Sequence, residues 1–426
     1  MKKLISVFAS LTFFRVLGAG TMFIATLLIA REFGAESLGS YSIILALASL
    51  LSVVFSLGFS SITAIRTAEF VAGEKEEKIG AFVRYARQNI FVIALVIGGG
   101  ALVVYPFAPQ LFQGLDLVEL AMVFCAAVCI ALTALYTTVL IGRDQQFAAM
   151  APEALLKPIL FVLALGVAAL MGWQLNGSII FGFAFLGIVA TLAVLAFLVR
   201  KDLLGDHSGT PEEKKEWRNH AYPWTITTLV WDYFIEAHIL IAGLLVAPAQ
   251  VAILHVCFRL RVLAGFGMRT LSALLLPDIV GTKTRYGVEA AMVKVRRSTL
   301  ISIAYGILVL VGFALIGDII FAIFGPEFVG AKGILLLASS VILVRALFGP
   351  APAILSIYGH QKDTALIMFL SLCLSVVGSF LLFEAHGILG IVASYAFANW
   401  LASMSLWIIA RAKTGLDGSL LCLIWR

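Results

Sequence analysis

Charge is scarce in this 426-residue sequence. Only 13% of its residues are Asp, Glu, Lys or Arg, about half the share found in a typical soluble domain. With 62% hydrophobic residues and a mean hydropathy of +1.05, the composition excludes a soluble enzyme and a disordered chain. Cysteine is sparse as well. The five cysteines (Cys125, Cys129, Cys257, Cys373 and Cys422) lie in apolar stretches or near the end of the chain, which excludes a disulfide scaffold. Cys125 and Cys129 share a helix face and read as small apolar residues rather than metal ligands. No GxxxxGK[ST] phosphate loop occurs, so the chain does not itself hydrolyse ATP. Nor is there a His/Cys cluster with metal-ligand spacing or an outward Ser/His/Asp constellation. The expectation is therefore no catalytic residue, no metal, no cofactor and no enzymatic activity. The net charge of +6 is too diluted by apolar residues to indicate nucleic-acid binding.

What the sequence has instead is long apolar runs. Ser178–Val199 is 22 residues without a charge, Gly39–Ile65 is 27 and His386–Ala410 is 25. Each crosses a hydrocarbon core of roughly 30 Å, which takes about 20 residues as helix. They are continuously apolar and do not alternate, so a barrel is excluded. This is an all-α integral membrane protein. Met1-Lys2-Lys3 leads into a stretch long enough to span, with no small-residue cleavage site of the signal-peptide kind.

Twelve spans are expected, at roughly 9–30, 39–64, 88–107, 118–141, 154–172, 178–199, 224–246, 249–276, 298–317, 333–356, 365–384 and 387–410. The distribution of Lys and Arg orients them. None occurs between Arg87 and Arg143, Lys157 and Arg200, Arg297 and Lys332, or Lys362 and Arg411. With both termini cytoplasmic, 23 of the 30 basic residues fall on the inner side, and only Arg31 and Lys332 fall outside. The charged segment 200–223 divides the chain into a six-helix lobe, 1–199, and a second, 224–410, followed by a cytoplasmic tail, 411–426. That segment reads as a solvated linker with a helix at the interface, the alternative being a regulatory site. Phe33–Gly39 and Phe324–Gly330 share the pattern Phe-Gly-x-Glu-x-x-Gly, read as common turn chemistry at two outer reversals.

Seven ionisable residues fall well inside these spans: Arg15, Asp232, Glu236, Arg259, Arg261, Arg269 and Arg345. A central charge costs roughly 2.5–3.5 kcal/mol on insertion scales, so such residues face a bundle interior, a partner or a ligand. Asp232 and Glu236 are four apart and share a helix face, as do His255, Arg259 and Arg269, whereas Arg261 points away from Arg259. This geometry predicts one shared cavity. Pairing Asp232 or Glu236 with Arg259 or Arg261 accounts for single residues but not for the set, because two carboxylates cannot neutralise five guanidiniums. The excess implies an anionic partner, and the planar fork of arginine suits phosphate. Arg15 could instead snorkel to lipid headgroups.

The chain resembles the polysaccharide flippases (Wzx-type), within the MOP superfamily that also holds the MATE multidrug exporters. The residues that carry this are Leu28–Gly39 (LIAREFGAESLG), Val251–Leu260 running on to Leu276-Pro277, and Ile323–Gly330 (IFGPEFVG). The resemblance implies two six-helix lobes around a central cavity in a bacterial plasma (inner) membrane. It also implies transfer of an undecaprenyl-pyrophosphate-linked oligosaccharide to the outer leaflet, alongside polymerase and glycosyltransferase partners. Arg15, Arg259, Arg261, Arg269 and Arg345 would form the cationic substrate site. Asp232 and Glu236 would pair with the arginines or carry a coupling ion. The rival expectation is a cation-coupled exporter of small amphiphiles. The first span holds Arg15 and no carboxylate, which departs from the exporter pattern.

Overall fold

The computed structural model describes residues 16–108, 114–203 and 209–420, and all regular structure among them is helical. In chain order the helices are α1 (16–28, running into a π-helical turn Ile29–Phe33), α2 (Gly34–Ser56), α3 (Phe59–Ala72), α4 (Glu77–Val104), α5 (Leu117–Gly142) and α6 (Gln146–Ala151). A π-helical turn, Pro152–Leu156, leads into α7 (Lys157–Leu170). Then come α8 (Gly177–Leu198), the single turn α9 (Arg200–Leu203), α10 (Pro211–Asp232) and α11 (Phe234–Leu245). The next helical run, Pro248–Phe324, breaks at Gly287 (φ 84°). Its membrane-length parts are α12 (Pro248–Met268) and α13 (Glu289–Phe324). Last are α14 (Lys332–Leu347), α15 (Ala351–Ile357), α16 (Gln361–His386) and α17 (Ile388–Thr414).

Among the described residues nine helices are long and apolar enough to cross a membrane, or ten if the bent pair Pro211–Val230 and Phe234–Leu245 is one span. The difference from twelve lies where helices are broken or joined. The stretch Val16–Ser56 counts as a single helix of 41 residues, about 60 Å at 1.5 Å per residue, or twice the hydrocarbon thickness. Its backbone leaves helical geometry at Gly34 (φ 85°, ψ 165°). Neither α14 nor α15 reaches spanning length alone, because the chain breaks between them. The shared Phe-Gly-x-Glu-x-x-Gly pattern is indeed a turn device. Gly34 has φ 85° and Gly325 has φ 132°, a region that L side chains avoid. Glu36 sits in the first turn of α2, whereas Glu327 lies in a 3₁₀ turn, Pro326–Phe328.

The chain forms two compact units, 1–252 and 253–426. In the first, α2 packs on α5, α8 and α11, and α3 packs on α5 and α10. Phe55, Phe59, Phe82, Leu135 and Trp217 belong to one buried cluster. In the second, α17 packs on α14, α15 and α16. Outward faces remain apolar: Leu95 is 76% exposed, Leu170 90% and Leu315 74%. Such surfaces suit lipid rather than water.

The segment 200–223 is only partly the solvated linker expected of its charge. Thr210 caps α10 through a reciprocal capping box with Glu213. Trp217 is buried, its ring edge-on to Phe82 at 5.3 Å and tilted against Tyr85 at 6.0 Å. Around it Lys78 reaches Glu213 at 2.6 Å and Arg66 reaches Glu216 at 2.8 Å. Hydrogen bonds from Lys78 and from the Thr210 backbone hold the Glu213 carboxyl below its usual pKa. Exposed ion pairs contribute about 0.2–1 kcal/mol each, whereas truncating a buried aromatic costs about 3–5 kcal/mol. Trp217 therefore dominates the docking. Trp217→Ala is expected to lower the unfolding temperature in detergent by several degrees, and Glu216→Gln to leave it nearly unchanged. Thermal unfolding of the two variants checks this.

Candidate functional site

Each compact unit holds its own cluster of membrane-embedded charge. In the second unit the cluster centres on Tyr395. Its sequence context is a polar stripe on α17 in which Ser394, Tyr395, Asn399 and Ser403 are all buried. The spacing of four puts Tyr395, Asn399 and Ser403 on one face. Asn399 and Ser403 satisfy themselves by donating to the backbone carbonyls of Tyr395 and Asn399. Ser371 of α16 donates to the Ala398 carbonyl at 2.8 Å. Tyr395 is fixed from a third side by Phe258 of α12, with ring centroids 4.9 Å apart.

Two of the predicted arginines meet at this tyrosine. The Arg261 guanidinium lies 5.3 Å from the Tyr395 ring centroid, a cation–π contact. Arg345, in the last turn of α14, bears electrostatically on the Tyr395 hydroxyl together with Arg261. The Nε of Arg261 is buried and has no hydrogen-bond acceptor among the described residues. A donor in that position loses its water without a replacement, at a cost of about 1–3 kcal/mol or more for a charged group.

Arg259 behaves differently. Its Nε donates to Nε2 of His255, one turn earlier, at 3.4 Å. Because guanidinium only donates, Nε2 of His255 carries the lone pair in this arrangement. Arg259 and Arg261, expected to face apart, contact different partners. Arg15 and the side chain of Arg269 lie outside the described residues.

The acidic pair belongs to the first unit. The chain bends by 60° between α10 and α11, with Asp232 and Glu236 on either side of Tyr233. Both carboxylates act electrostatically on the Tyr233 hydroxyl, which also interacts with the Ser52 hydroxyl. A third carboxylate, Glu153, acts on the same hydroxyl. Glu153 lies in the π-helical turn Pro152–Leu156, 3.6 Å from Lys157. In the sequence it directly precedes the fifth expected span, 154–172, and is not among the ionisable residues singled out there. The available signal was Pro152, which breaks the regular hydrogen-bond ladder at that point; π-helical turns recur at functional sites. Tyr395 was equally missed, although its polar stripe is visible in the sequence. Asp232 and Glu236 are thus grouped with Glu153, and Arg261 with Arg345, each group within its own unit.

No protein-family model matches the chain, and no curated protein sequence matches it. Solved structures do. A multidrug resistance MATE family transporter of the MOP superfamily, in an inward-facing conformation, matches with TM-score 0.74 and 14% identity over 95% of this chain and 98% of that one. The lipid II flippase MurJ, inward closed, matches with TM-score 0.69 and 17% identity over 95% of this chain and 87% of that one. A MOP-superfamily transporter from Pyrococcus furiosus, described as having a binding pocket of reversed polarity, matches with TM-score 0.57 and 16% identity over 95% and 94%. The chain has the fold of MOP-superfamily transporters.

Arginines gather in one cluster and carboxylates in the other, a contrast that charged reagents can read. Tyr395→Cys is expected to react faster with an anionic thiosulfonate reagent than with a cationic one of similar size. Tyr233→Cys should show the reverse preference. The same reactivity ratio at both positions would contradict the assignment.

Proposed function

We propose that this protein moves an undecaprenyl-pyrophosphate-linked oligosaccharide from the cytoplasmic to the outer leaflet of a bacterial plasma membrane. The observation that carries this reading is the convergence of Arg261 and Arg345 on Tyr395, with Arg261 Nε buried and lacking an acceptor. Two guanidiniums at membrane depth favour an anionic ligand, and bidentate hydrogen bonding suits pyrophosphate. The transporter fold accommodates alternating exposure of such a site to the two leaflets. Arg259 would join the site on leaving His255, and Arg15 and Arg269 would extend it. Asp232 and Glu236 would answer a coupling cation or proton. Polymerases and glycosyltransferases acting on the same glycan are its expected partners.

A topology of twelve spans, in lobes 1–199 and 224–410 with both ends cytoplasmic, belongs to the same proposal. Contacts between span ends support it. On the predicted inner side, Arg143 reaches Glu76 at 3.1 Å and Asp202 at 2.6 Å, and Lys413 reaches Asp363 at 2.6 Å. On the predicted outer side, Lys332 pairs with Asp318 and Ser178 with Glu119. Ser37 donates to the Leu175 carbonyl at 3.0 Å, also on the outer side. Every one of these joins ends assigned to the same side.

A second reading, a cation-coupled exporter of small amphiphiles, is favoured by one observation: three carboxylates, Asp232, Glu236 and Glu153, act electrostatically on the Tyr233 hydroxyl. Reconstituted vesicles separate the two. A labelled pyrophosphate-linked glycolipid should cross leaflets in wild-type vesicles. Arg261→Ala and Arg345→Ala should each slow it roughly 10- to 100-fold, the equivalent of one charge-assisted hydrogen bond of about 1.5–3 kcal/mol. Equal rates in all three proteins would sink the flippase reading. Uptake of cationic amphiphiles instead would establish the second.

A further inference from the structure

The span that carries Arg345 is broken just beyond it, and the break is occupied by another part of the chain. α14 ends at Leu347, and the backbone turns at Gly349 (φ 70°) before Pro350, the residue that precedes α15. A broken helix leaves carbonyls in its last turn without intrahelical donors. Here the carbonyl of Leu347 accepts the backbone N–H of Leu420 at 2.8 Å. The segment that follows α17, residues 415–420, has folded back to supply it.

The rest of that segment is held as closely. A side chain at Gly349 would collide with the Gly418 carbonyl, whose oxygen lies 2.0 Å from the position of a Cβ. The Thr299 hydroxyl of α13 donates to the same carbonyl at 2.6 Å. Leu416 and Ser419 are buried. Asp417 accepts from the Trp407 indole and from both the backbone N–H and the hydroxyl of Ser419, and lies 3.5 Å from Arg411. Trp407 in turn packs on Phe348 inside the break, with centroids 5.7 Å apart. One short segment thus bridges α13, α17 and both sides of the α14–α15 break.

We propose that residues 415–420 form a releasable latch. Docked, the latch fixes the α14–α15 break and with it the last turn of α14, where Arg345 sits; transport requires it to let go. The physical case is the balance of its contacts. They are one docking backbone–backbone hydrogen bond, a handful of side-chain hydrogen bonds and one ion pair, each worth about 0.5–1.5 kcal/mol net or less, and a single buried leucine. Such a segment docks stably yet opens at a cost well below that of global unfolding. Burial raises the proton affinity of Asp417, but the bonds from Ser419 and Trp407 and the Arg411 charge outweigh it, so its pKa is lowered from 3.8. Its stabilising contribution is present above that value and is lost only as pH falls through the lowered pKa. Asp417 therefore stays ionised throughout the neutral range, and its titration does not release the latch there. Its consequence for transport rests on the reading of Arg345 as a substrate residue, whereas its docking does not.

A disulfide tests the release step, because Val295 Cγ1 lies 3.4 Å from where a Gly418 Cβ would be. In a background without the native cysteines, oxidised Val295→Cys/Gly418→Cys should transfer glycolipid at least 10-fold more slowly than its reduced form. Transfer that is insensitive to oxidation overturns the proposal. Independently of any substrate, Leu416→Ser and truncation after Gly415 should each speed backbone amide exchange across residues 345–357 at least 10-fold. Unchanged exchange in both variants overturns the latch itself. If the wild type transfers no glycolipid, the flippase reading fails and the exchange measurement still decides the latch.

Discussion

A guanidinium within a hydrocarbon layer has no water to satisfy it, and the organisation of this protein follows from how that deficit is met. Each such charge costs roughly 2.5–3.5 kcal/mol if left alone, so its surroundings must supply acceptors, counter-charge or a polarisable ring. Arg259 is met by His255, and Arg261 by the face of Tyr395. Neither arrangement neutralises the charge. A histidine that accepts a hydrogen bond is uncharged, and an aromatic face offers about 0.5–2 kcal/mol. The second unit therefore keeps its positive character at depth, and the acidic cluster around Tyr233 lies in the first.

Arg259 and Arg261 lie in regular helix, but the other charges sit where their helices are irregular. Glu153 lies in a π-helical turn, Asp232 and Glu236 flank a 60° bend, and Arg345 precedes a full break. An irregular turn frees backbone groups and shifts side chains out of the lipid-facing register. Each irregularity therefore needs local support. Ser52 stands beside Tyr233 at the bend, and the segment after α17 closes the break. Breaks of this kind are also where a helix bends at least cost, which links the charged positions to any hinge motion of these helices.

Much of this was legible in the sequence. Runs without charge announced membrane helices, and the repeated Phe-Gly-x-Glu-x-x-Gly pattern announced turns at Gly34 and Gly325. The buried ionisable residues stood out because apolar neighbours surround them. Three things were not legible. Trp217 sits in a charged segment, and nothing in its spacing reveals that Phe82 and Tyr85, more than a hundred residues earlier, form its pocket. Glu153 borders a span, and its grouping with Asp232 and Glu236 is a tertiary fact. The docking of residues 415–420 depends on backbone carbonyls freed at a distant break, which no side-chain pattern encodes. Composition fixes which residues need partners; only packing decides which partners they receive.

The central claim is that the arginine cluster of the second unit answers a pyrophosphate group. Binding of undecaprenyl pyrophosphate to the purified protein, compared with undecaprenol of the same chain length, tests it most directly. The account predicts saturable binding of the pyrophosphate lipid at least 10-fold tighter than that of the alcohol. It also predicts that Arg261→Met abolishes the difference, with the protein still folded. Equal affinity for the two lipids in the wild-type protein would contradict it.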